Sequence, residues 1–251
     1  MVVHYGTILL CGGWNNEQNC LQLHEGTWKV HSYLNKRRNR HSAVKTQTAT
    51  FVFGGYNSDT YEYLLKDSST WLMGKTNIPG GFRYGCAIAV KSEQEIWLIG
   101  GLWTEQRILS FDVNNHFFQV LPSQLNLGRY ELRCAFIPNT NKIMITGGQS
   151  VINDSLLTTE IIDVENGSVT MASCINSKRS SHGMGIITIN GEDKLAITGG
   201  CIGENKEVKR IELYNNRTQE WEFTDSKSNE TNYEFGFLNV KLSDIIPEVC
   251  N

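Results

Sequence analysis

Histidine is the side chain best suited to proton transfer or metal binding near neutral pH. The six here, His4, His24, His31, His41, His116 and His182, stand at no ligand-like spacing such as H-x-x-x-H. His41 and His182 sit at similar places shortly after an arginine and read as hydrogen-bonded structural histidines. Cys11, Cys20, Cys86, Cys134, Cys174, Cys201 and Cys250 form no C-x-x-C pair, which gives a zinc site little support. Their odd count and lack of a framework predict buried, reduced thiols in an intracellular protein. No G-x-S-x-G elbow and no Walker A loop occurs. The strongest chemical signal is a basic run, Lys36-Arg37-Arg38-Asn39-Arg40-His41, in a chain of formal net charge −3. It has two readings: a solvated turn, or a dock for an acidic segment. In the second reading Arg40, with its planar fork of donors, is the anchor for a carboxylate.

The elements that must carry these residues are short and repeated. An apolar run ending in two glycines occurs five times: Ile8 to Gly12-Gly13, Phe51 to Gly54-Gly55, Ile96 to Gly100-Gly101, Ile143 to Gly147-Gly148, and Leu195 to Gly199-Gly200. Successive first glycines lie 42, 46, 47 and 52 residues apart, a period that means a solenoid, a propeller or an array. A run of large and β-branched apolar residues suits a strand buried on both faces. Glycine after it admits positive φ or close approach of another backbone.

A hairpin follows each Gly-Gly. Trp28, Trp71, Phe118 and Trp221 each stand seven residues after a hydrophobic residue of the preceding strand, with polar turn residues between; Val169 takes that place in the fourth copy. These aromatics are expected to pack in the interior. Before each later Gly-Gly comes an arginine and then a strand of small and apolar residues, as in Arg83-Tyr84-Gly85-Cys86-Ala87-Ile88-Ala89-Val90. The unit is four antiparallel strands with no helical period. At 251 residues, 40% hydrophobic, the chain is long enough for one large β domain or two smaller ones. The charge gives no reason to expect nucleic-acid binding, and no apolar stretch reaches the length of a membrane span. No signal peptide is apparent, and the sequons at Asn153, Asn166, Asn216 and Asn229 carry little weight in so Asn-rich a chain. A cytoplasmic protein, monomeric as an isolated domain, is expected.

Apolar-Gly-Gly, an aromatic seven residues after a hydrophobic strand position, and Arg before a small-residue strand together resemble the kelch repeat. The resemblance covers residues 1–251 as one domain, with repeats at about 1–30, 38–72, 83–120, 129–171 and 179–223. It is close in repeats two, three and five and looser in one and four. It implies an all-β, kelch-type β-propeller of four-stranded antiparallel blades, five by repeat count. WD40, the other family of this period, lacks its Gly-His and Trp-Asp signals here. The chain starts without a full-length Arg-led inner strand. Residues 233–241 look like an inner strand with no Gly-Gly after it, so the C-terminal strand is expected to complete blade one. That closure resembles the one in BTB–kelch proteins, which usually carry six repeats; the alternatives are a five-bladed ring, favoured by the paired ends, and a piece of a six-bladed one.

By the same resemblance, partner-contacting residues lie just after the glycines, at Trp14, Tyr56, Trp103 and Gln149, and around the arginine leading each inner strand, at Arg40, Tyr84, Tyr130, Ser180 and Tyr233. The implied function is a non-catalytic module that needs no cofactor or metal and binds a protein or peptide, with an acidic segment in the sharper reading. Such a module is often the substrate-recognition part of a cullin ubiquitin-ligase adaptor, though the BTB or BACK region that would recruit the cullin is not in this chain. Binding to actin is the alternative. A galactose-oxidase-like enzyme is the distant one, because the copper ligand set of that relative is not matched here.

Overall fold

The computed structural model describes residues 1–13, 18–56, 58–74, 78–152, 155–203 and 206–227. It is all-β and builds five blades, each a sheet of four antiparallel strands in sequence order. Blade one comprises β1 (Val2–His4), β2 (Thr7–Cys11), β3 (Asn19–His24) and β4 (Thr27–Tyr33). Blade two comprises β5 (Ser42–Lys45), β6 (Ala49–Phe53), β7 (Tyr61–Leu65) and β8 (Leu72–Met73). Blade three comprises β9 (Cys86–Val90), β10 (Glu95–Ile99), β11 (Arg107–Asp112) and β12 (Phe117–Gln124). Blade four comprises β13 (Arg133–Phe136), β14 (Lys142–Thr146), β15 (Thr159–Asp163) and β16 (Val169–Ala172). Blade five begins with β17 (Gly183–Ile189) and β18 (Glu192–Thr198); a small ribbon, β19 (Cys201–Ile202) with β20 (Lys206–Glu207), precedes β21 (Arg210–Asn215) and β22 (Glu220–Lys227). The first strands β1, β5, β9, β13 and β17 touch in that order, as the inner wall of a propeller does.

The second strand of blades two to five is buried on both sides along its apolar run, which explains that run; in blade one Leu10 of the same strand is exposed. Side chains alternate between neighbours: Ile96 and Leu98 pack toward blade two with Phe51, Phe53 and Phe111, while Trp97 and Ile99 pack toward blade four with Ile143 and Ile145. One apolar cluster fills each of the four boundaries between consecutive blades. In blades two, three and five the aromatic of the outer hairpin packs back onto the preceding blade. Trp71 joins the blade-one cluster and donates Nε1–H to Ser32 Oγ at 3.0 Å. Phe118 joins the cluster of blade two and Trp221 that of blade four. Trp28 departs from the expectation of a packed aromatic, being 44% exposed. The same alternation turns it away from blade two, and among the described residues no blade precedes blade one to cover it.

Two further expectations are corrected. Blade one does not lack an inner strand: β1 fills that position, with Val2 opposite Leu9. Three residues and no leading arginine left it below the threshold of the repeat pattern. The proposed closing strand, 233–241, lies outside the described residues. The thiols are not all reduced: Cys11 pairs with Cys20 across β2 and β3, and Cys86 with Cys134 between blades three and four. Both pairings join residues made neighbours by the fold, on adjacent strands or adjacent inner walls, so their separations of 9 and 48 residues carried no signal. The cytoplasmic expectation loses the support it took from reduced thiols. Cys174 is exposed and unpaired, and Cys201 is buried.

Candidate interaction face

The Gly-Gly pairs build one end of the propeller. In each of the first four copies, the amide of the second glycine donates to a carbonyl of the next blade's entry: Gly13 to Arg38, Gly55 to Phe82, Gly101 to Arg129 and Gly148 to Arg179, all within 2.9–3.0 Å. The first glycine lies flat against that same carbonyl. A Cβ on Gly54 would stand 1.6 Å from Phe82 O, and one on Gly12 2.2 Å from Arg38 O. Both residues of each pair have positive φ, so both reasons for glycine apply together.

Behind this seam sits a buried ion pair in three of the five blades. Arg38 with Glu62, Arg129 with Glu160 and Arg179 with Glu212 are wholly enclosed on both sides. Each guanidinium also donates to carbonyls of its own blade; Arg38 Nη1 reaches Gly54 O at 2.7 Å and Thr60 O at 2.8 Å. Each carboxylate takes further bonds from the strap before it: Glu62 from the Asn35 and Lys36 amides, Glu160 from Asn126 and Leu127, Glu212 from Asn176 and Ser177. Burial lowers the affinity of each arginine for its proton, and the paired carboxylate opposes that shift. This satisfaction of both partners is what makes a buried charge tolerable. The signal is in the sequence as Asn-x-x-Arg three times with Glu on the third strand, and in the first copy its arginine lies within the basic run 36–41. Arg38 in that run is therefore part of the interior.

Blade three breaks the pattern at both partners. By the glycine bonds, Phe82 occupies the arginine position, and it is buried; Leu109, opposite Leu98, occupies the glutamate position. Arg83 is one residue further on, outside the ion-pair position and half-buried. Its Cζ lies 5.4 Å from the Tyr56 ring and 5.7 Å from the Trp103 ring.

The following residue of each entry loop forms the channel mouth. Arg40, Tyr84, Glu131 and Ser181 all have left-handed backbone. Their peptide groups link blade to blade: Tyr84 N–H to Arg40 O, Glu131 N–H to Tyr84 O and Ser181 N–H to Glu131 O, at 3.0, 2.6 and 3.0 Å. They rim a cavity of about 380 Å³ that Arg133 also lines. Arg40 lies over the Tyr84 ring at 4.4 Å, and Tyr84 meets Tyr130 edge to face. His41 and His182 stand just inside. Thr146 Oγ1 and His182 Nε2 share a 2.8 Å hydrogen bond. Enclosure first, then the positive amino terminus and Arg38, push His41 down to about 3; enclosure, Arg133 and Arg179 hold His182 well below its ordinary value. Both are neutral structural histidines at pH 7.

The expected contact residues thus divide. Tyr56 and Trp103 are 48% and 67% exposed on the loops after the glycines. Arg40, Tyr84 and Tyr130 are half-buried at the mouth, Gln149 half-buried beside it. Ser180 is buried, hydrogen-bonded to Gln149 Nε2, and offers no contact surface. Tyr130 and Ser180 are one residue out of register with Arg40 and Tyr84; the true equivalents are Glu131 and Ser181. Trp14 and Tyr233 lie outside the described residues. Sequence reasoning missed Arg83, and also Val151 and Ile152, which extend the apolar set on the loop after Gly147-Gly148 at 75% and 84% exposure. Among the described residues no group of three or more His, Cys, Asp or Glu could hold a metal ion, and no helix is long and apolar enough to cross a membrane.

The repeat, the inter-blade seam and the closed-packed sheets define a kelch-type β-propeller. No protein-family model matches the chain. A kelch repeat-containing protein of Dictyostelium discoideum is 26% identical over 152 residues, 59% of this chain and 22% of that protein, so the chain spans about a fifth of its relative's length. The solved structure of YjhT superposes with a TM-score of 0.79 at 11% identity, over 94% of this chain and 85% of its own, a likeness of fold.

Proposed function

We propose that this propeller is a non-catalytic interaction module that binds a protein or peptide on the face carrying the Gly-Gly loops. The observation that supports it is the set of side chains those loops put out: Tyr56, Trp103, Val151 and Ile152, among the most exposed apolar residues described, all on one face around a mouth rimmed by Arg40 and Tyr84. Apolar residues gathered on one face mark an interaction site, and aromatics and arginine dominate interface energetics. The kelch-repeat relative is consistent with such a role. In its finer form the reading makes this domain the substrate-recognition part of a cullin ubiquitin-ligase adaptor, working with BTB and BACK regions on a partner chain or elsewhere in its own protein. An actin-binding kelch protein is the second form.

The test compares proteins retained from cell extract by the wild type, by Tyr56→Ala/Trp103→Ala, and by Phe117→Ala as a control on the outer hairpin. Partners retained by the wild type and the control but lost by the double variant support the reading. Cullin-ligase subunits among them select the first form, and filament co-sedimentation the second. Equal retention by all three, or turnover of a small molecule with stoichiometric bound metal, overturns it.

A further inference from the structure

We infer that Arg83, held between Tyr56 and Trp103, is a clamp for a single carboxylate of the partner, an Asp or Glu side chain or a chain terminus; this rests on the reading of the face as an interaction surface. Three observations converge on it. Arg83 is an arginine that has lost its interior duty: where blades two, four and five pair Arg with Glu, blade three has Phe82 and Leu109, and no carboxylate among the described residues pairs with Arg83. Its Nε is buried with no hydrogen-bond partner, a costly state unless something completes it. Glu105, the acid on the loop that carries Trp103, accepts the Trp103 amide at 3.1 Å on its Oε1.

The walls are also set in place. Trp103 has φ +74°, a conformation uncommon for so bulky a residue. Thr104 fixes it, with N–H to Gly101 O at 3.0 Å and Oγ1–H to Gly100 O at 2.6 Å. Strain of this kind persists where the surroundings over-determine it, and it clusters at ligand clamps. Both rings lie within cation–π reach of the guanidinium, at 5.4 and 5.7 Å from Cζ, an attraction that leaves its N–H donors unused. Those donors then match a carboxylate in two parallel bonds. The basic run at 36–41 is less suited to this role. Its Arg38 is spent on Glu62, and its Arg40 lies against Tyr84.

The test pans a random twelve-residue peptide library on the intact protein. Enriched sequences should carry Asp or Glu. A synthetic selected peptide should bind Arg83→Gln about tenfold more weakly than wild type, the loss of one charge-assisted pair. Replacing its acid by the matching amide should cost a similar factor, and combining the two changes should add little. Arg83→Lys should fall between. The amide peptide is read on wild-type protein, so the result does not depend on any variant folding. Peptides without acids, no enrichment over the naive library, or equal binding by Arg83→Gln overturns the clamp. If binding survives Arg83→Gln yet is lost in Tyr56→Ala/Trp103→Ala, the clamp fails and the face stands; if it survives both, the face fails as well.

Discussion

The amide of Gly55 donates to the carbonyl of Phe82 over 2.9 Å, tying the second strand of blade two to the entry of blade three. The same bond recurs from Gly13, Gly101 and Gly148, so each of the first four apolar-Gly-Gly runs is both a blade's interior and its link to the next blade. The loop that leaves the glycines and the loop that enters the inner strand are therefore held side by side. That juxtaposition brings Tyr56, from one blade, to Arg83, from the next.

Glycine substitutions separate the two demands on these positions. Gly26 has φ +73° with nothing within 4 Å of a Cβ, whereas a Cβ on Gly55 would meet Asn39 O at 2.7 Å. Gly26→Ala is expected to cost about 1 kcal/mol, the conformational term alone. Gly55→Ala should cost more, because backbone must also move. Urea denaturation of the two variants decides it, and equal midpoints would contradict a steric role for the seam.

Removing one member of a buried pair should be far worse than removing both. Arg129→Phe alone strands Glu160 in the interior and is expected to cost about 3–5 kcal/mol. Arg129→Phe with Glu160→Leu copies Phe82 and Leu109 of blade three and should recover most of that loss. A double-mutant cycle by chemical denaturation reads the coupling; simple additivity would show that blade three is not a substitute solution to the same packing problem.

The repeat and its glycines, three of the outer aromatics and the sheet architecture were legible in the sequence, because each depends on local pattern. A β-strand shows its period in neighbouring residues, and Gly-Gly shows where backbone comes close. What stayed hidden depends on which blades touch. Trp28 has the motif of Trp71, yet only Trp71 has a described preceding blade to pack on. Cys86 and Cys134 become partners once their inner strands lie side by side. Arg83 reads as one more strand-leading arginine until the glycine bonds show Phe82 in that role.

Stability should fall between pH 7 and 5. His41 is pushed down to about 3 and His4 to about 4, the latter by burial first and then by His31, while His182 lies well below its ordinary value. All three stay neutral in the folded state as pH falls, whereas in the unfolded chain each gains a proton near pH 6.5. The unfolded state then binds more protons, so folding is disfavoured progressively below pH 6.5, with the loss levelling off once pH passes the folded values. Each such proton contributes about 1.4 kcal/mol per pH unit across that window. Denaturation at pH 7, 6 and 5 should show the slope, and His182→Gln should flatten it; a profile level from 7 to 5 would contradict it.

Reduction should loosen the inner wall. Closing the 48-residue separation between Cys86 and Cys134 is worth about 4 kcal/mol in chain entropy. Cys86→Ser/Cys134→Ser should melt well below the oxidised wild type and be insensitive to dithiol at that site. Peptide mapping without reductant should recover both linked pairs; recovery of free thiols at all four positions would contradict the pairing.

The most direct measurement of the central claim is site-specific photocrosslinking. A benzophenone side chain placed at position 103, on the Gly-Gly face, is compared in cell extract with one at position 117, on the outer hairpin, both sites being exposed in the wild type. An interaction module working through this face should give discrete protein adducts from 103, suppressed by Tyr56→Ala in the same chain, and none from 117. Adducts from 117 alone, or the same adducts from both positions, would contradict it.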